Sequence, residues 1–430
     1  MKRTFVAELP GRVGDGVRLS GWAHAVLPEG GPLVVLRDHT GEVRLLPPAV
    51  GRNAGLIDAM AGLSRESAIQ VTGTVMDGGD ELEVALSELV VAGPAVADVP
   101  IHERSPLQER LDWRFVDLRR PRNRLILEVQ TTIERTMRDV WSLHGFLEIH
   151  SPKLKPMPNK SGSHLFSLDH FGRRAYLAQS PQFYKQMAMA AGLERVFEIG
   201  PVFRAQPSPT SRHDTEFTSI DVEMSWIDSH EDVMAFEETL VHETLSVVQR
   251  EHGEDVARWF GQAVEVPALP FPRVTLDQAR KTVSETGLPI DQMADDLDPE
   301  GERRLSEIIV AEHGHEFVFV TDYPEPARPF YHMRCEEDSV ATRSFDLLWK
   351  GLEVTSGAQR EHRYDRLVEQ ARRRGIPVAA IGPYLDFFKC GCPPHGGFGI
   401  GLTRVLMSLL GQADVREVTY LFRGPDRLTP

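Results

Sequence analysis

The sequence predicts an α+β protein in which a small β-barrel domain precedes a larger mixed domain. Three observations carry this expectation. Short β-branched runs fill the N-terminal quarter, apolar residues switch to helical spacing from Arg124, and strand-like and helical runs then alternate.

The N-terminal runs come first. Val17–Trp22, Leu33–Arg37, Val43–Leu46, Ile69–Val75 and Leu82–Leu86 are short and separated by Gly, Pro and Asp turns. Asp77-Gly78-Gly79-Asp80 between two of them is a hairpin signal. Five such strands over residues 1–97 suggest a barrel. An oligonucleotide-binding barrel is one candidate, and a small β domain that only packs is the other. Pro94, Pro100 and Pro106 punctuate a linker, residues 98–120, which ends in an Arg-rich stretch with Trp113 and Phe115 interleaved. That stretch suits either a phosphate backbone or a charged hinge packed between domains.

Leu125, Val129, Ile133, Met137 and Val140 then mark a helix that Gly145 stops. Arg195–Ile199, Thr218–Met224 and Phe317–Thr321 read as strands. Gln182–Ala191, Glu231–Gln249, Leu305–Glu312 and Val405–Leu410 read as helices, so residues 121–430 form the second domain.

The 430-residue chain has a formal net charge of −15, which argues against wrapping nucleic acid over the whole surface but permits a local basic stripe. Glu8 and Pro10 follow Met1-Lys2-Arg3, so no signal-peptide core is present, and no apolar run is long enough to span a membrane. Three cysteines suit a reducing compartment. A cytoplasmic enzyme without a membrane partner is expected.

Three segments carry chemistry. Gly145–Pro152 follows the long helix and ends in a Pro that, alone, is only a strand stop. Phe203–Met224 flanks a loop with two strands; Arg204 leads into the loop, Arg212 and His213 lead out, and Phe217 begins the return strand. A buried Arg204 requires an anion, either a nucleotide phosphate or an internal carboxylate. In the third segment, Asp346, Glu353 and Ser356 lie on neighbouring strand-like stretches and suit Mg2+ shared with phosphate oxygens. The glycines of Pro393–Arg404 let backbone approach a ligand, or simply allow tight packing. Cys390, Cys392 and His395 lack the second ligand pair that a zinc site needs.

In this order the segments resemble motifs 1, 2 and 3 of the class II aminoacyl-tRNA synthetases, and within them the archaeal-type aspartyl-tRNA synthetases. LDWRFVDLRRP resembles that family's hinge, AYLAQSPQFYKQ (Ala175–Gln186) its amino-acid-binding stretch, and LEVTSGAQREH with PPHGGFGIGL its third-motif region. The resemblance covers almost the whole chain. It implies an anticodon-binding-like oligonucleotide-binding (OB-fold) barrel over 1–97, a hinge over 98–120, and a catalytic antiparallel sheet flanked by helices over 121–430. It also implies that aspartate is activated with ATP and passed to tRNA(Asp), with tRNA(Asn) as a second acceptor in relaxed members.

Arg204 would then hold the ATP α-phosphate, His213 and Arg404 the β/γ end, and Phe217 with Arg404 the adenine. Arg204 and Arg404 would be the catalytic cations, and Glu353 would complete the ATP site. Asp346, Glu353 and Ser356 would carry Mg2+. Lys185 and Arg360 would clamp the substrate's side-chain carboxylate, helped by Gln182 and Asp221, with Ser356 nearby. The segment around Pro152 would form a homodimer interface.

Departures from the family fall at functional positions. Lys160 stands where the family carries Glu in a loop tied to the substrate ammonium, Gln206 replaces a motif 2 Glu, and Thr403 a motif 3 Glu. In the barrel, Leu33 and Arg44 replace a stacking Phe and a Gln, and Leu27–Gly31 an Arg-rich turn. Loss of a stacking ring costs roughly 1–3 kcal/mol per base. Trp22 remains, and His24 stands where some relaxed members also have His. Three hypotheses therefore stay open. One is an aspartate–tRNA ligase, with Ser208 and Thr210 in the acceptor-end loop. The second is a biosynthetic paralogue that adenylates an aspartate-like acid for another acceptor. The third is a non-catalytic binding protein on the same fold.

Overall fold

The structure is a computed structural model that describes residues 1–27, 32–48, 53–79, 81–96, 98–102, 104–156, 165–207, 210–289, 295–336 and 339–430. Two compact units divide at Arg124/Leu125.

In the first unit, β1 (Gly16–Leu27), β2 (Leu33–Arg37), β3 (Glu42–Leu46), β4 (Ala68–Asp77) and β5 (Leu82–Gly93) close on themselves in the order β1-β2-β3-β5-β4. All five predicted strands are present, each at least as long as expected. Alternation explains the closure: Val17 and Leu19, Val34 and Leu36, and Ile69, Val71 and Val75 all point into one core. At Gly73 a Cβ would lie 2.5 Å from the Ala85 carbonyl oxygen, so only glycine lets β4 and β5 pair there. The hairpin signal holds through Gly79, whose φ of 91° suits glycine and whose N–H donates to Asp77 Oδ1 at 3.0 Å; Asp80 lies outside the described residues. The helix Ala54–Ala61, capped by Asn53, was not expected from the sequence.

The Arg-rich stretch forms the short helices Leu107–Asp112 and Arg114–Asp117. Its arginines mostly serve an internal acid: fully buried Asp117 pairs with Arg114 at 2.9 Å, Arg120 at 3.3 Å and Arg110 at 3.4 Å. That corrects the phosphate-backbone reading for these three, because burial of Asp117 demands compensation. Arg119 instead donates to Glu66 at 2.7 Å and lies 4.8 Å over the Trp22 ring. Arg37 also grips Glu66, with both bonds at 2.8 Å, and donates to His24 at 2.6 Å. Burial pushes the Glu66 carboxyl up, yet His24, Arg119 and Arg37 together hold it at about 2.

The second unit is built on β6 (Leu147–Glu148), β7 (Leu154–Lys155), β8 (Ser167–His170), β9 (Arg173–Leu177), β10 (Arg195–Phe203), β11 (Glu216–Ser225), β12 (Arg273–Thr275), β13 (Phe317–Thr321), β14 (Ser344–Trp349), β15 (Leu352–Arg360) and β16 (His395–Gly401). Eight of them form a sheet in the order β12-β13-β14-β15-β16-β11-β10-β6, antiparallel except at its two outer pairs. Strands β7, β9 and β8 make a small separate sheet.

The helix Pro121–Leu143 buries Leu125, Val129, Ile133 and Met137, the stripe the spacing predicts. The helix His230–Phe260 opens on a Ser229/Asp232 capping box and runs beyond the predicted Gln249. Gly253 does not break it, and the helix stops only at Gly261, with φ 65°. Among the described residues no helix is long and apolar enough to cross a membrane.

Candidate active site

The central strands of the large sheet frame a cavity of about 470 Å3 within the second unit. Strand alternation sets its floor: Phe217, Ser219 and Asp221 recur at every second position of β11 and face it together. Across the sheet, Asp221 pairs with Gly399 of β16, which pairs with Ser356 of β15. The glycines of β16 keep this floor low, since a Cβ at Gly399 would lie 3.3 Å from Asp221 Oδ1.

One part of the wall holds a closed set of charges. Lys185, on the helix Gln182–Ala190, lies 3.0 Å from Asp221 Oδ1 and 3.3 Å from Glu223 Oε2. It also donates to the Val222 and Phe398 carbonyls. Arg360 donates to Glu223 at 3.0 Å, to His332 Nε2 at 2.9 Å and to the Gly397 carbonyl at 2.8 Å. Glu223 is fully buried; burial alone would raise its carboxyl, but Arg360 and Lys185 hold it below its ordinary value. The expected carboxylate clamp is therefore already neutralised by two acids, Asp221 and Glu223, the second of which was not expected from the sequence. Gln182 is 5% exposed, and its Nε2 donor has no partner among the described residues.

The other part of the wall is an open set of cations. Arg204 lies just beyond β10, exposed to the cavity rather than buried as expected, with its guanidinium 5.1 Å over the Phe217 ring. It makes no ion pair among the described residues, so the internal-carboxylate explanation is not what holds it. Enclosure and then Arg404 lower its pKa. Arg404 donates to the Glu353 carbonyl at 2.9 Å, lies 3.4 Å from its carboxylate, and lies 3.5 Å from His213. Burial, then Arg404 and Arg204, hold His213 below its usual range. Arg212 lines the cavity and pairs with Glu302 at 3.3 Å.

The expected metal ligands are brought together only in part. Glu353 and Ser356 line the cavity, whereas Asp346 sits behind it, opposite Ser356 in the β14–β15 register. Arg328, also missed from the sequence, donates to Asp346 Oδ2 at 2.5 Å and to Ser356 at 3.2 Å. Asp346 nevertheless keeps a buried Oδ1 with no hydrogen-bond partner among the described residues. Burial and Asp346 raise the Glu353 carboxyl against the pull of Arg404, Arg328 and Arg204. This oxygen-rich donor set fits a divalent cation.

Gln206 and Thr403 line the same cavity. Lys160, the Asn159–Ser163 loop around it, Ser208 and residues 28–31 of the altered barrel turn lie outside the described residues. Cys392 lies 3.6 Å from His395, and no metal-holding group of three or more His, Cys, Asp or Glu occurs among the described residues.

Comparison with known proteins adds to this geometry. A family model described as "tRNA synthetases class II (D, K and N)" matches residues 106–423. The chain is 40% identical to the aspartate–tRNA(Asp/Asn) ligase of Methanopyrus kandleri, over 100% of both chains. It is 38% identical to the aspartate–tRNA(Asp) ligase of Pyrococcus abyssi, over 97% of each. Among solved structures it resembles asparaginyl-tRNA synthetase from Pyrococcus horikoshii complexed with asparaginyl-adenylate, with TM-score 0.93 and 29% identity over 100% of both chains. Aspartyl-tRNA synthetase from Entamoeba histolytica follows at 0.90 and 27%, over 100% of this chain and 93% of that one.

Proposed function

Since the chain belongs to the class II tRNA synthetases of the D, K and N group, we propose that it is an ATP-dependent ligase that activates aspartate and charges tRNA(Asp), with tRNA(Asn) as a further acceptor. The observation that carries this reading is one cavity with two charge sets, a neutralised one around Lys185 and Arg360 and one around Arg204 and Arg404 in which Arg404 is paired with Glu353 and Arg204 has no ion pair among the described residues.

In the first step an aspartate α-carboxylate oxygen attacks the ATP α-phosphorus and pyrophosphate leaves. Arg204 stabilises the charge growing on the α-phosphate, while His213 and Arg404 hold the β/γ end and Phe217 the adenine. Lys185 and Arg360 receive the side-chain carboxylate, and Gln182 supplies its spare donor. In the second step a terminal ribose hydroxyl of tRNA attacks the acyl carbonyl and AMP leaves. Catalysis needs no covalent enzyme intermediate; positioning and fixed charge suffice. Asp346, Glu353 and Ser356 would hold Mg2+, which supplies charge neutralisation to phosphate oxygens when bound.

The closed sheet over 1–97 serves as an oligonucleotide-binding barrel that meets the anticodon, with 98–120 as hinge and 121–430 as catalytic domain. Trp22, held under Arg119, offers a ring there, while Arg44 is paired with Glu81 at 3.2 Å. A homodimer is the expected assembly: β6 is a sheet edge, and Leu143, Leu147 and Leu154 nearby in sequence are exposed.

Aspartate-dependent ATP–pyrophosphate exchange, run beside charging of unfractionated tRNA with labelled aspartate, tests the reading. Both activities are expected. Exchange without charging, or exchange only with another acid, would overturn it in favour of a paralogue with a different acceptor.

A further inference from the structure

The small sheet of the second unit ends in a hairpin that the proposed chemistry leaves unused. Strands β8 and β9 pair from Ser167↔Tyr176 to His170↔Arg173, and Phe171-Gly172 makes the turn. Both turn residues have positive φ, 52° and 74°, the pattern of a type I′ hairpin, whose central positions favour Asn, Asp or Gly. Phe171 is thus a bulky residue held in the left-handed region, and it is 93% exposed. Its ring meets only the His170 ring among the described residues, with centroids 4.8 Å apart. Folding gains neither a relaxed backbone nor apolar burial from this side chain. Strain of this kind is kept where a surface is used.

The residues around the ring indicate what it meets. His170, Arg173 and Arg174 are all exposed, and neither arginine side chain has an ion pair among the described residues. Asp169 is the one acid of the tip; it stands opposite Arg174 in the register, and its Oδ1 accepts from the Gly172 N–H at 3.2 Å. On a chain of net charge −15, two unpaired guanidiniums beside a bare aromatic face concentrate positive potential at one projecting point. An RNA strand answers both features, with phosphates for the arginines and a base or ribose face for the ring. A second copy of the chain fits less well, because Leu143, Leu147 and Leu154, not this tip, offer the apolar surface that a subunit contact needs.

We propose that the Phe171 hairpin is a contact surface for tRNA, with Phe171 against a base or ribose and Arg173 and Arg174 on flanking phosphates. This rests on the reading of tRNA as the acceptor, and the experiment separates the two claims. Dissociation constants for tRNA and for oligouridylate, an unstructured RNA, are measured over a range of salt. The proteins compared are the unaltered chain, Phe171→Asn, and the double variant Arg173→Gln with Arg174→Gln. Aspartate-dependent pyrophosphate exchange without tRNA, melting temperature and sedimentation are followed in parallel.

Phe171→Asn should weaken tRNA binding about tenfold, the loss of one stacked ring. It should also raise the melting temperature, because Asn suits the left-handed turn. A ring that served only the fold would not show both effects. The double variant should flatten the slope of log Kd against log salt by about one per arginine. Exchange should be unchanged in both variants, since the hairpin lines no part of the cavity.

Unchanged tRNA affinity and salt slope in both variants would overturn the proposal. So would variants that dissociate into monomers at unchanged affinity per subunit, which would make the hairpin a subunit contact. If the unaltered protein binds no tRNA, the acceptor reading fails, and the oligouridylate series still decides the hairpin. Weaker oligouridylate binding by both variants upholds it, and equal binding overturns it.

Discussion

The two charge sets of the cavity are built on opposite principles. Around Lys185 and Arg360 each cation has a protein counter-charge, Asp221 and Glu223 at 3.0–3.3 Å, and all four groups are buried. Around Arg204 and Arg404 the cations crowd one another, and Arg204 faces the cavity with no ion pair among the described residues. A site that must discriminate between similar side chains gains from rigid groups already in place, because a ligand that mismatches cannot be accommodated by relaxation. A site for a triphosphate gains from unspent positive potential, because most of the attraction is then released on binding. On the proposed reading, selectivity and driving force are separated along one cavity.

Breaking the open set should have the largest effect. Arg204→Ala is expected to lower kcat/KM for pyrophosphate exchange roughly a thousandfold, about 4 kcal/mol, since on the proposed reading it removes a charge aimed at the α-phosphate. Stability should hardly change, because no internal ion pair is lost. A loss within tenfold would mean that Arg204 is not where phosphate charge develops.

Breaking the closed set should act on folding instead. Glu223→Gln leaves Lys185 and Arg360 buried with only Asp221 between them and should cost about 3 kcal/mol by denaturant titration. The surviving protein should also discriminate less well between aspartate and asparagine. Stability within about 0.5 kcal/mol of the unaltered protein would show that the ion cluster is not a rigid unit.

These two residues also show how much of the site was legible. Arg204 was placed at the cavity by its position after an apolar strand at the head of a Pro-rich loop, although the burial on which that expectation rested is not found. Glu223 was legible in principle: it stands two positions after Asp221, alternating with Ile220, Val222 and Met224, so both acids face the same side. The resemblance assigned Asp221 a role and gave Glu223 none. Arg328 could not be read at all. It lies between Pro324, Pro326 and Pro329, in a segment without periodicity, and meets Asp346 only through tertiary folding. In the fold, the barrel strands and the long helices were legible from alternation and from the apolar stripe. The two-residue β6 falls in the segment read as a strand entry before Pro152, but its shortness and its place are set by parallel pairing with β10 rather than by its own residues.

Arg328 gives the third test, at the boundary between the two sets. Its guanidinium fills part of the charge deficit of Asp346 and Ser356. Arg328→Met should cost about 2 kcal/mol in chelator, because Asp346 is left buried without a counter-charge. Added Mg2+ should raise the melting temperature of the variant more than that of the unaltered protein. An equal rise in both would remove Asp346 from the cation site.

The smallest effect concerns His213. With Arg404, Arg204 and Arg212 around it and burial against it, His213 is held below the ordinary histidine range, so above about pH 6.5 the free protein carries it neutral. Phosphate oxygens placed against it reverse the balance of charge and raise its pKa. ATP binding near neutral pH should therefore take up a fraction of a proton, and by linkage the affinity for ATP should strengthen as pH falls through the pKa of the bound state toward the lower one of the free protein. Calorimetry in two buffers of different ionisation enthalpy reads that uptake directly. His213→Asn should abolish it while weakening ATP binding only severalfold, because Arg204 and Arg404 remain. Equal uptake in the variant would place the titrating group elsewhere, with Glu302 the next to examine: burial and Glu353 raise its carboxyl to about 7, and Arg212, its ion-pair partner, is the cation that phosphate would draw away.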